Sequence, residues 1–437
     1  MNDGAVRDSA AAPGFSEAVR TWAKIGLLSF GGPAGQIALM HKVLVDEKRW
    51  LGERDFLNAL NFCMLLPGPE AMQLATYAGW RLHGVKGGLV AGLFFVLPGA
   101  VMMFVLSSLY AAFGKLPLAE ALLLGVKAAV LAVVVEALLR IAKRALKGGG
   151  DWLLAGGAFV AIYLLAVPFP MIVLCAALIG FWMAKGDTDR TPIAPGTPVS
   201  LGDTARTAAI WLAIWFVPLA GIAWVHGREH VLTKIGLFFS KLAVVTFGGA
   251  YAVLAYMREA VPRDFGWLSN VEMVDALGLA ETTPGPLILV TQFVGALGAM
   301  RQGGGAPYAM GALGALVTTW ATFAPCFLWI FVGAPYIERL NADARLRGAL
   351  AAVTAAVVGV ILNLTVTFAI DVIAPGSQVR WAGPLRLYLP DGGSFVWPAV
   401  ALTVLALVLT LRLHRNILVT LGICGATALG LRAVGVF

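Results

Sequence analysis

Two helix-breaking motifs occur twice in this chain at one fixed spacing, and each could present backbone amides to an anion. Phe30-Gly31-Gly32 recurs 217 residues later as Phe247-Gly248-Gly249, and Pro67-Gly68-Pro69 recurs as Pro284-Gly285-Pro286. A half-helix that begins at such a break leaves its first N–H groups unpaired, and the helix dipole adds partial positive charge there. Such an end can bind an anion without side chains. The alternative is that the triplets only kink packed helices.

Two lysines occupy the same position in the two copies. Lys24 and Lys241 each precede a Gly-Gly break by about two helical turns and lie within apolar sequence. A buried ammonium is costly and usually functional, so both are predicted to draw a small anion toward the breaks. Ser29 and Thr246 would supply hydroxyl groups. The alternative is that both lysines snorkel to the membrane surface.

Two glutamates near the Pro-Gly-Pro motifs break the repeat symmetry. Glu70 directly follows the first motif, and Glu281 lies three residues before the second. The matching positions hold Leu287 and Met64. A buried carboxylate near an anion takes up a proton readily, so both are candidates for proton coupling. Glu70 could equally cap the start of a helix.

Further polar side chains follow or precede the same motifs. Gln73 and Gln292 lie four and six residues after the prolines and could donate amide hydrogens, and Thr283 directly precedes the second motif. Together with the break residues, lysines and hydroxyls, they complete the predicted substrate site.

Other polar residues give little indication of chemistry. His226 and His230 have helical spacing but lie beside charged residues in a predicted loop, so no metal site is predicted. Glu120, Lys127 and Glu136 share one predicted helix and are interpreted as a structural polar set. Phosphate-binding and nucleophile motifs do not occur, so neither a cofactor nor an enzyme is predicted. Four scattered cysteines in apolar segments suggest no disulfide framework: Cys63, Cys175, Cys326 and Cys424.

The composition places the chain in a lipid bilayer. Apolar residues make up 59% of it and charged residues 13%, with a mean hydropathy of +0.83, whereas soluble domains carry roughly 25% charged residues. Several apolar segments approach the ~20 residues of a spanning helix, and no alternating strand pattern appears. The net charge of +8 comes from short loops between these segments, so it indicates membrane orientation rather than nucleic-acid binding.

The four breaks divide apolar stretches into pieces of roughly 12–16 residues, or about 18–24 Å of helix. Such pieces are too short to cross the ~30 Å hydrocarbon core, so they are predicted to be discontinuous or re-entrant helices. If they do not cross, most of the 32 Lys and Arg residues lie on the side of the N-terminus, which is then cytoplasmic. One linker helix would then invert the second copy. The predicted fold is an all-α, multi-pass membrane protein with two inverted-topology repeats.

The domain organisation follows from the same pattern. A polar N-terminal tail would cover residues 1–14, and a first repeat residues 15–184. A linker with one transmembrane helix would cover residues 185–229, and the second repeat residues 230–437.

The motifs resemble those of the chromate ion transporter family in its long form, in which two homologous domains are fused. The resemblance runs from about Phe15 to Leu431 and rests on Phe30-Gly31-Gly32-Pro33, Leu65 to Leu74, Thr246 to Gly249 and Thr283 to Pro286. It implies a secondary active transporter or antiporter in the bacterial cytoplasmic membrane. It also implies chromate efflux driven by the membrane potential or proton gradient, and thus chromate resistance.

Alternatives to chromate export stay open at this point. Chromate is a tetrahedral oxyanion like sulfate, so the motifs fit a transporter of sulfate or another anion. A passive anion channel would also use helix dipoles and basic side chains. A membrane-embedded enzyme is a third class, disfavoured because no redox cysteine pair or metal cluster occurs in the sequence. The expected partners are the oxyanion, the lipid bilayer and, for a coupled transporter, protons, with the protein a monomer or homodimer.

Overall fold

The computed structural model describes residues 13–30, 32–184, 200–247, 249–337, 344–389 and 393–436. The predicted N-terminal tail and the polar first part of the linker lie almost entirely outside these residues. So do two of the break glycines, Gly31 and Gly248.

The first half of the chain is helical, and its helices end and restart at the predicted breaks. They are α1 (Phe15–Leu28), α2 (Gly32–His41), α3 (Glu53–Leu65), α4 (Glu70–Phe113), α5 (Pro117–Ala145), α6 (Gly149–Tyr163) and α7 (Phe169–Met183). A π-helical turn, Lys42–Glu47, continues α2. Non-helical backbone at His83 and Gly84 divides α4, so its first part is the second limb of a broken unit.

The second half repeats this order of helices. After α8 (Leu201–His226) come α9 (Val231–Val245), α10 (Ala250–Ala260), α11 (Asn270–Glu281), α12 (Val290–Gln302), α13 (Pro307–Gly333), α14 (Ala344–Ile373), α15 (Trp397–Leu407) and α16 (Ile417–Ala433). Proline stands at the start of both α5 and α13, where its missing N–H costs no helical hydrogen bond.

Among the described residues a β-hairpin interrupts the second half and has no counterpart in the first, and the sequence did not predict it. Strands β1 (Gln378–Ala382) and β2 (Leu385–Leu389) pair antiparallel. Arg386 fastens the hairpin to the end of α6: its backbone N–H donates to Leu164 O at 2.6 Å, and its guanidinium donates to Tyr163 O at 3.2 Å. It also pairs with Glu259 at 2.9 Å.

Five of the described helices are long and apolar enough to cross a membrane: α4, α5, α8, α13 with its 3₁₀ extension to Tyr336, and α14. The other apolar helices have 10–17 residues. The protein is therefore an all-α, polytopic membrane protein.

Most of the described helices pack into two groups. Helices α1, α4, α8, α9, α12 and α13 form one group, and α5, α6, α7, α14, α15 and α16 form the other. Helix α11 joins the groups by packing on α5. It approaches closely because a methyl group on Gly278 would lie only 2.4 Å from Val126 Cγ1.

Candidate anion site at the helix breaks

The two Pro-Gly-Pro motifs are sharp turns between short helices. Gly68 has φ +116° and Gly285 has φ +86°, which side-chain-bearing residues rarely adopt. Pro69 and Gly249 are the N-cap residues of α4 and α10, and neither helix has a hydrogen bond from a capping side chain. No N-cap side chain therefore occupies their first N–H groups, and anion binding by these groups stays a prediction.

Each Pro-Gly-Pro motif bonds to the Gly-Gly break of the other half. The Gly68 N–H donates to Thr246 O at 2.9 Å, and the Gly285 N–H donates to Ser29 O at 2.8 Å. Both donors and both acceptors are related by the 217-residue offset. The bonds are reciprocal, because each half supplies one donor and one acceptor. They place each Pro-Gly-Pro motif beside the residue that precedes the Phe-Gly-Gly motif of the other half.

A second pair of matching residues, on the long helices, lies against the two Pro-Gly-Pro motifs. A methyl group on Gly99 of α4 would lie 2.1 Å from Pro284 O. On the other side, a methyl group on Gly68 would lie 3.0 Å from Cys326 Sγ of α13. Gly99 and Cys326 occupy matching positions in the helices that follow the broken units. Thus each Pro-Gly-Pro motif rests against the first long helix of the opposite half.

Three buried glutamines surround the breaks, each with its amide nitrogen bonded to a carbonyl. Gln73 donates to Pro67 O at 2.7 Å, and Gln292 donates to Ala100 O at 2.8 Å. Gln36 donates to Gly285 O at 2.6 Å. All three Oε1 atoms are buried without a hydrogen-bond partner among the described residues. The sequence prediction missed Gln36, although a glutamine in an apolar helix four residues after a break could have revealed it.

Each predicted hydroxyl donor already donates to a backbone carbonyl three or four residues earlier in the chain. Ser29 Oγ donates to Ile25 O at 2.6 Å, Thr246 Oγ1 donates to Leu242 O, and Thr283 Oγ1 donates to Ala280 O at 2.8 Å. Binding an anion through these hydroxyls would require them to rotate. The Gly68 and Gly285 amides are likewise bonded, to Thr246 O and Ser29 O.

Both candidate glutamates lie at the start of α10. A methyl group on Gly249, the residue that precedes this helix, would lie 3.6 Å from Glu70 Oε2. Glu281 accepts a hydrogen bond of 2.9 Å from the hydroxyl of Tyr251, in the first turn of α10. The partial positive charge of the helix end favours both carboxylates there. At the start of α2 the matching Gly32 has open space beside it.

Comparison with known proteins gives the family. The Chromate transporter family model matches residues 16–181 and 233–430. The chain belongs to the chromate transporter family. The "Chromate transport protein" of Pseudomonas aeruginosa is 34% identical over 84% of this chain and 85% of its own. That of Cupriavidus metallidurans is 30% identical over 79% of this chain and 80% of its own. No solved structure matches the chain.

In this family member the two predicted lysines lie apart from the breaks. Lys24 and Lys241 are both exposed, on the outer faces of α1 and α9. The Lys241 ammonium lies 5.9 Å from the centre of the Tyr256 ring. Their role in binding stays a prediction, and their placement equally fits side chains that snorkel.

Buried charges between the helix groups were not anticipated as pairs. Lys127 Nζ of α5 lies 3.1 Å from Asp275 Oδ1 of α11, and the Tyr110 hydroxyl donates to Asp275 Oδ2 at 2.8 Å. Nearby, Arg258 of α10 pairs with Asp371 of α14. Charged residues inside apolar helices were the available sequence indication, but their partners lie in distant segments.

Proposed function

We propose that this chain is a secondary active transporter that exports chromate from the bacterial cytoplasm across the inner membrane and so confers chromate resistance. The observation that carries the proposal is the reciprocal bonding of the four breaks, Gly68 to Thr246 and Gly285 to Ser29. It gathers half-helix ends where a tetrahedral oxyanion could accept several backbone N–H bonds. Chromate is the proposed substrate because both relatives are named chromate transport proteins.

The proposed topology has the second repeat inverted relative to the first and the N-terminus in the cytoplasm. The repeats would cover residues 15–184 and 230–437, joined by α8. The reciprocal contacts support this arrangement, because an in-plane two-fold axis relates the halves of many transporters whose sites lie at the midplane.

The proposed coupling ion is the proton, carried by Glu70 or Glu281. Both carboxylates lie at the start of α10, and a buried carboxylate near a bound anion favours its protonated form. Protonation would remove a negative charge that competes with the substrate for the helix end.

Transport in proteoliposomes tests the proposal. We expect labelled chromate to accumulate against its gradient when a proton gradient is imposed, and sulfate to compete if shape and charge alone select the substrate. Downhill flux alone would indicate a channel and contradict the proposal. Recovery of unaltered chromate excludes reduction by the protein.

Two substitutions test the coupling step. Glu70→Gln is expected to abolish the response to the proton gradient while chromate exchange continues, because the neutral amide mimics the protonated acid. Glu281→Gln is the parallel test. The control is Glu120→Gln, an exposed glutamate in the first turn of α5. An unchanged response to the gradient in both test variants would contradict proton coupling at these residues.

A further inference from the structure

A polar cavity lies between the β-hairpin and the segment that joins α10 to α11. Its volume is about 350 Å³, within the roughly 300–1,000 Å³ of small-ligand sites. Arg258, Glu259 and Arg263 line it from the end of α10 and the turn after that helix. The hairpin contributes Arg386 and Trp381. The cavity therefore brings together three guanidinium groups and one carboxylate.

Two of these arginines are buried, yet each has a nitrogen without a partner. Arg258 uses Nε and Nη2 to bind Asp371 and a carbonyl of α14. Arg386 uses the same two atoms to bind Glu259 and the end of α6. Arg258 is 6% exposed and Arg386 8%. Neither Nη1 atom bonds to a described residue, and neither is fully buried. Both are therefore accessible, and the cavity is the space that the two side chains line.

Two further charged groups of the cavity also have unused hydrogen-bonding atoms. Arg263 pairs with Asp264 through Nε and Nη2, at 2.7 and 3.2 Å, and its Nη1 bonds to no described residue. Glu259 accepts from Arg386 through Oε1 at 2.9 Å. Its Oε2 accepts no hydrogen bond from the part of the chain that the structure describes, and this atom is not fully buried. The cavity thus offers guanidinium donors and a carboxylate acceptor together.

The charges of this cavity balance, which indicates the kind of ligand that fits it. Each of the three arginines pairs with one carboxylate, so these six groups carry no net charge. A simple anion would add a charge that nothing offsets. A zwitterion with a phosphate and an ammonium group would leave the site neutral and would bond to both kinds of unused atom.

The hairpin places the cavity at the level of the membrane surface. It follows the spanning helix α14 and precedes the apolar helix α15, so it lies near the ends of both. Trp381 in the cavity wall is 59% exposed, and Trp397, at the start of α15, is 73% exposed. Exposed tryptophans are typical of the lipid headgroup level. Val379, also exposed, extends the cavity wall with apolar surface.

The matching segment of the first half lacks these groups. The positions that match the three charged residues of α10 and its turn hold His41, Lys42 and Asp46. Among the described residues of that half there is no hairpin either. The features of the cavity therefore belong to the second half alone.

We propose that this cavity binds the headgroup of phosphatidylethanolamine, a zwitterionic phospholipid. The three guanidinium groups donate to the phosphate, and Glu259 Oε2 accepts from the ammonium. The acyl chains leave the cavity along Val379 and Trp381. Basic pockets at the ends of membrane helices are suited to lipid headgroups, and the carboxylate selects for a headgroup that carries N–H donors.

Headgroup selectivity of the unaltered protein tests the assignment. Native mass spectrometry in detergent measures binding of phosphatidylethanolamine, phosphatidylcholine and phosphatidylglycerol with identical acyl chains. Phosphatidylethanolamine should bind about tenfold or more tightly than the other two, since a charge-assisted hydrogen bond is gained. Phosphatidylcholine has no N–H to donate to Glu259, and phosphatidylglycerol has no cation. Equal binding of the three lipids would overturn the proposal.

A competition arm separates a lipid from a soluble ligand. Glycerophosphoethanolamine carries the same headgroup without acyl chains, and it should displace the lipid only at concentrations about tenfold higher or more, because it buries no apolar surface. Inorganic phosphate should compete more weakly still. Displacement by either compound at the concentration of the lipid itself would indicate a site for a free small molecule and contradict the lipid assignment.

Substitutions locate the site on the molecule. Arg263→Gln should weaken phosphatidylethanolamine binding about tenfold. The matched control is Arg380→Gln, which removes an exposed charge from β1 beside Trp381 but on the opposite face of the strand. An equal affinity in these two variants would overturn the site.

A third variant tests the ammonium contact. Glu259→Gln should reduce the preference for phosphatidylethanolamine over phosphatidylcholine, and an unchanged preference would contradict the role of this carboxylate. These assays contain no chromate, so their outcome is independent of the proposed transport function.

Discussion

The α2–α3 pair and the α10–α11 pair occupy matching positions in the sequence, but they differ in burial and in their charged neighbours. Residue 58 is an exposed asparagine on α3, and its counterpart Asp275 is buried in α11 beside Lys127. Gly32 opens onto empty space, and its counterpart Gly249 lies beside Glu70. Duplication thus supplied two equal helix ends. In the described residues only the α10–α11 end has a buried carboxylate paired with a lysine, Asp275 with Lys127.

Among the variants that test this difference, the largest loss of stability is expected for a substitution at Asp275. Asp275→Ala should lower the free energy of unfolding by about 3–5 kcal/mol, because it leaves the largely covered ammonium of Lys127, 15% exposed, without its partner. Asn58→Ala is the matched control and should cost little, since Asn58 is exposed. Unfolding in detergent measures both. The double variant Lys127→Met/Asp275→Leu should recover stability, and its failure to do so would contradict the ion-pair explanation.

The next effect concerns the crossing of the long helices over the Pro-Gly-Pro turns. Gly99→Ala should cost about 1–3 kcal/mol or more, because its methyl group would overlap Pro284 O. Cys326→Ala, at the matching position, removes one atom and should be tolerated better. Thermal unfolding compares the two variants. An equal loss of stability in the two variants would mean that the two long helices approach the Pro-Gly-Pro turns equally closely.

Thiol labelling sharpens the comparison directly. In a background without reactive native cysteines, Ala38→Cys should react with a hydrophilic maleimide about tenfold faster than Ala255→Cys, because Ala38 is exposed and Ala255 is buried. Adding Asp275→Asn should raise the rate at position 255. If Ala38→Cys reacts only with a lipid-soluble reagent, this face of α2 contacts lipid and the prediction is wrong.

The smallest loss of stability is expected at His230, which precedes α9 at the start of the second half. His230 accepts a hydrogen bond from the Leu232 N–H at 3.3 Å and so caps α9, whereas α1 begins at Gly14 without a side-chain cap. His230→Ala should cost about 0.5–1 kcal/mol.

The same histidine makes a pH test possible. Burial and, secondarily, His226 lower the pKa of His230, so the folded protein favours the neutral ring. Stability should then fall as pH drops below the unfolded value of about 6.5. Thermal unfolding across this range should show a smaller decline for His230→Ala, and an equal decline would exclude this residue as the cause.

The breaks themselves were predictable because glycine and proline act locally on the backbone. Helices end at Leu28, Leu65, Val245 and Glu281, close to the predicted motifs. The pairing of Lys127 with Asp275 was not predictable, since the partners are far apart in sequence and meet only through packing of α5 on α11. The exposure of Lys24 likewise depends on which face of α1 its neighbours cover. Burial on a membrane helix cannot be read from apolar sequence alone.

The exchange of hydrogen bonds between Gly68, Thr246, Gly285 and Ser29 has a consequence for how the chain could be divided. Each half on its own would lose the acceptor of one break amide, Gly68 in the first half and Gly285 in the second, and an unpaired amide is costly inside a membrane. Because these bonds involve only backbone atoms, the side chains around them can diverge while the link persists. Each half then depends on the other, and a chain cut between residues 184 and 200 should function only when both fragments are made together.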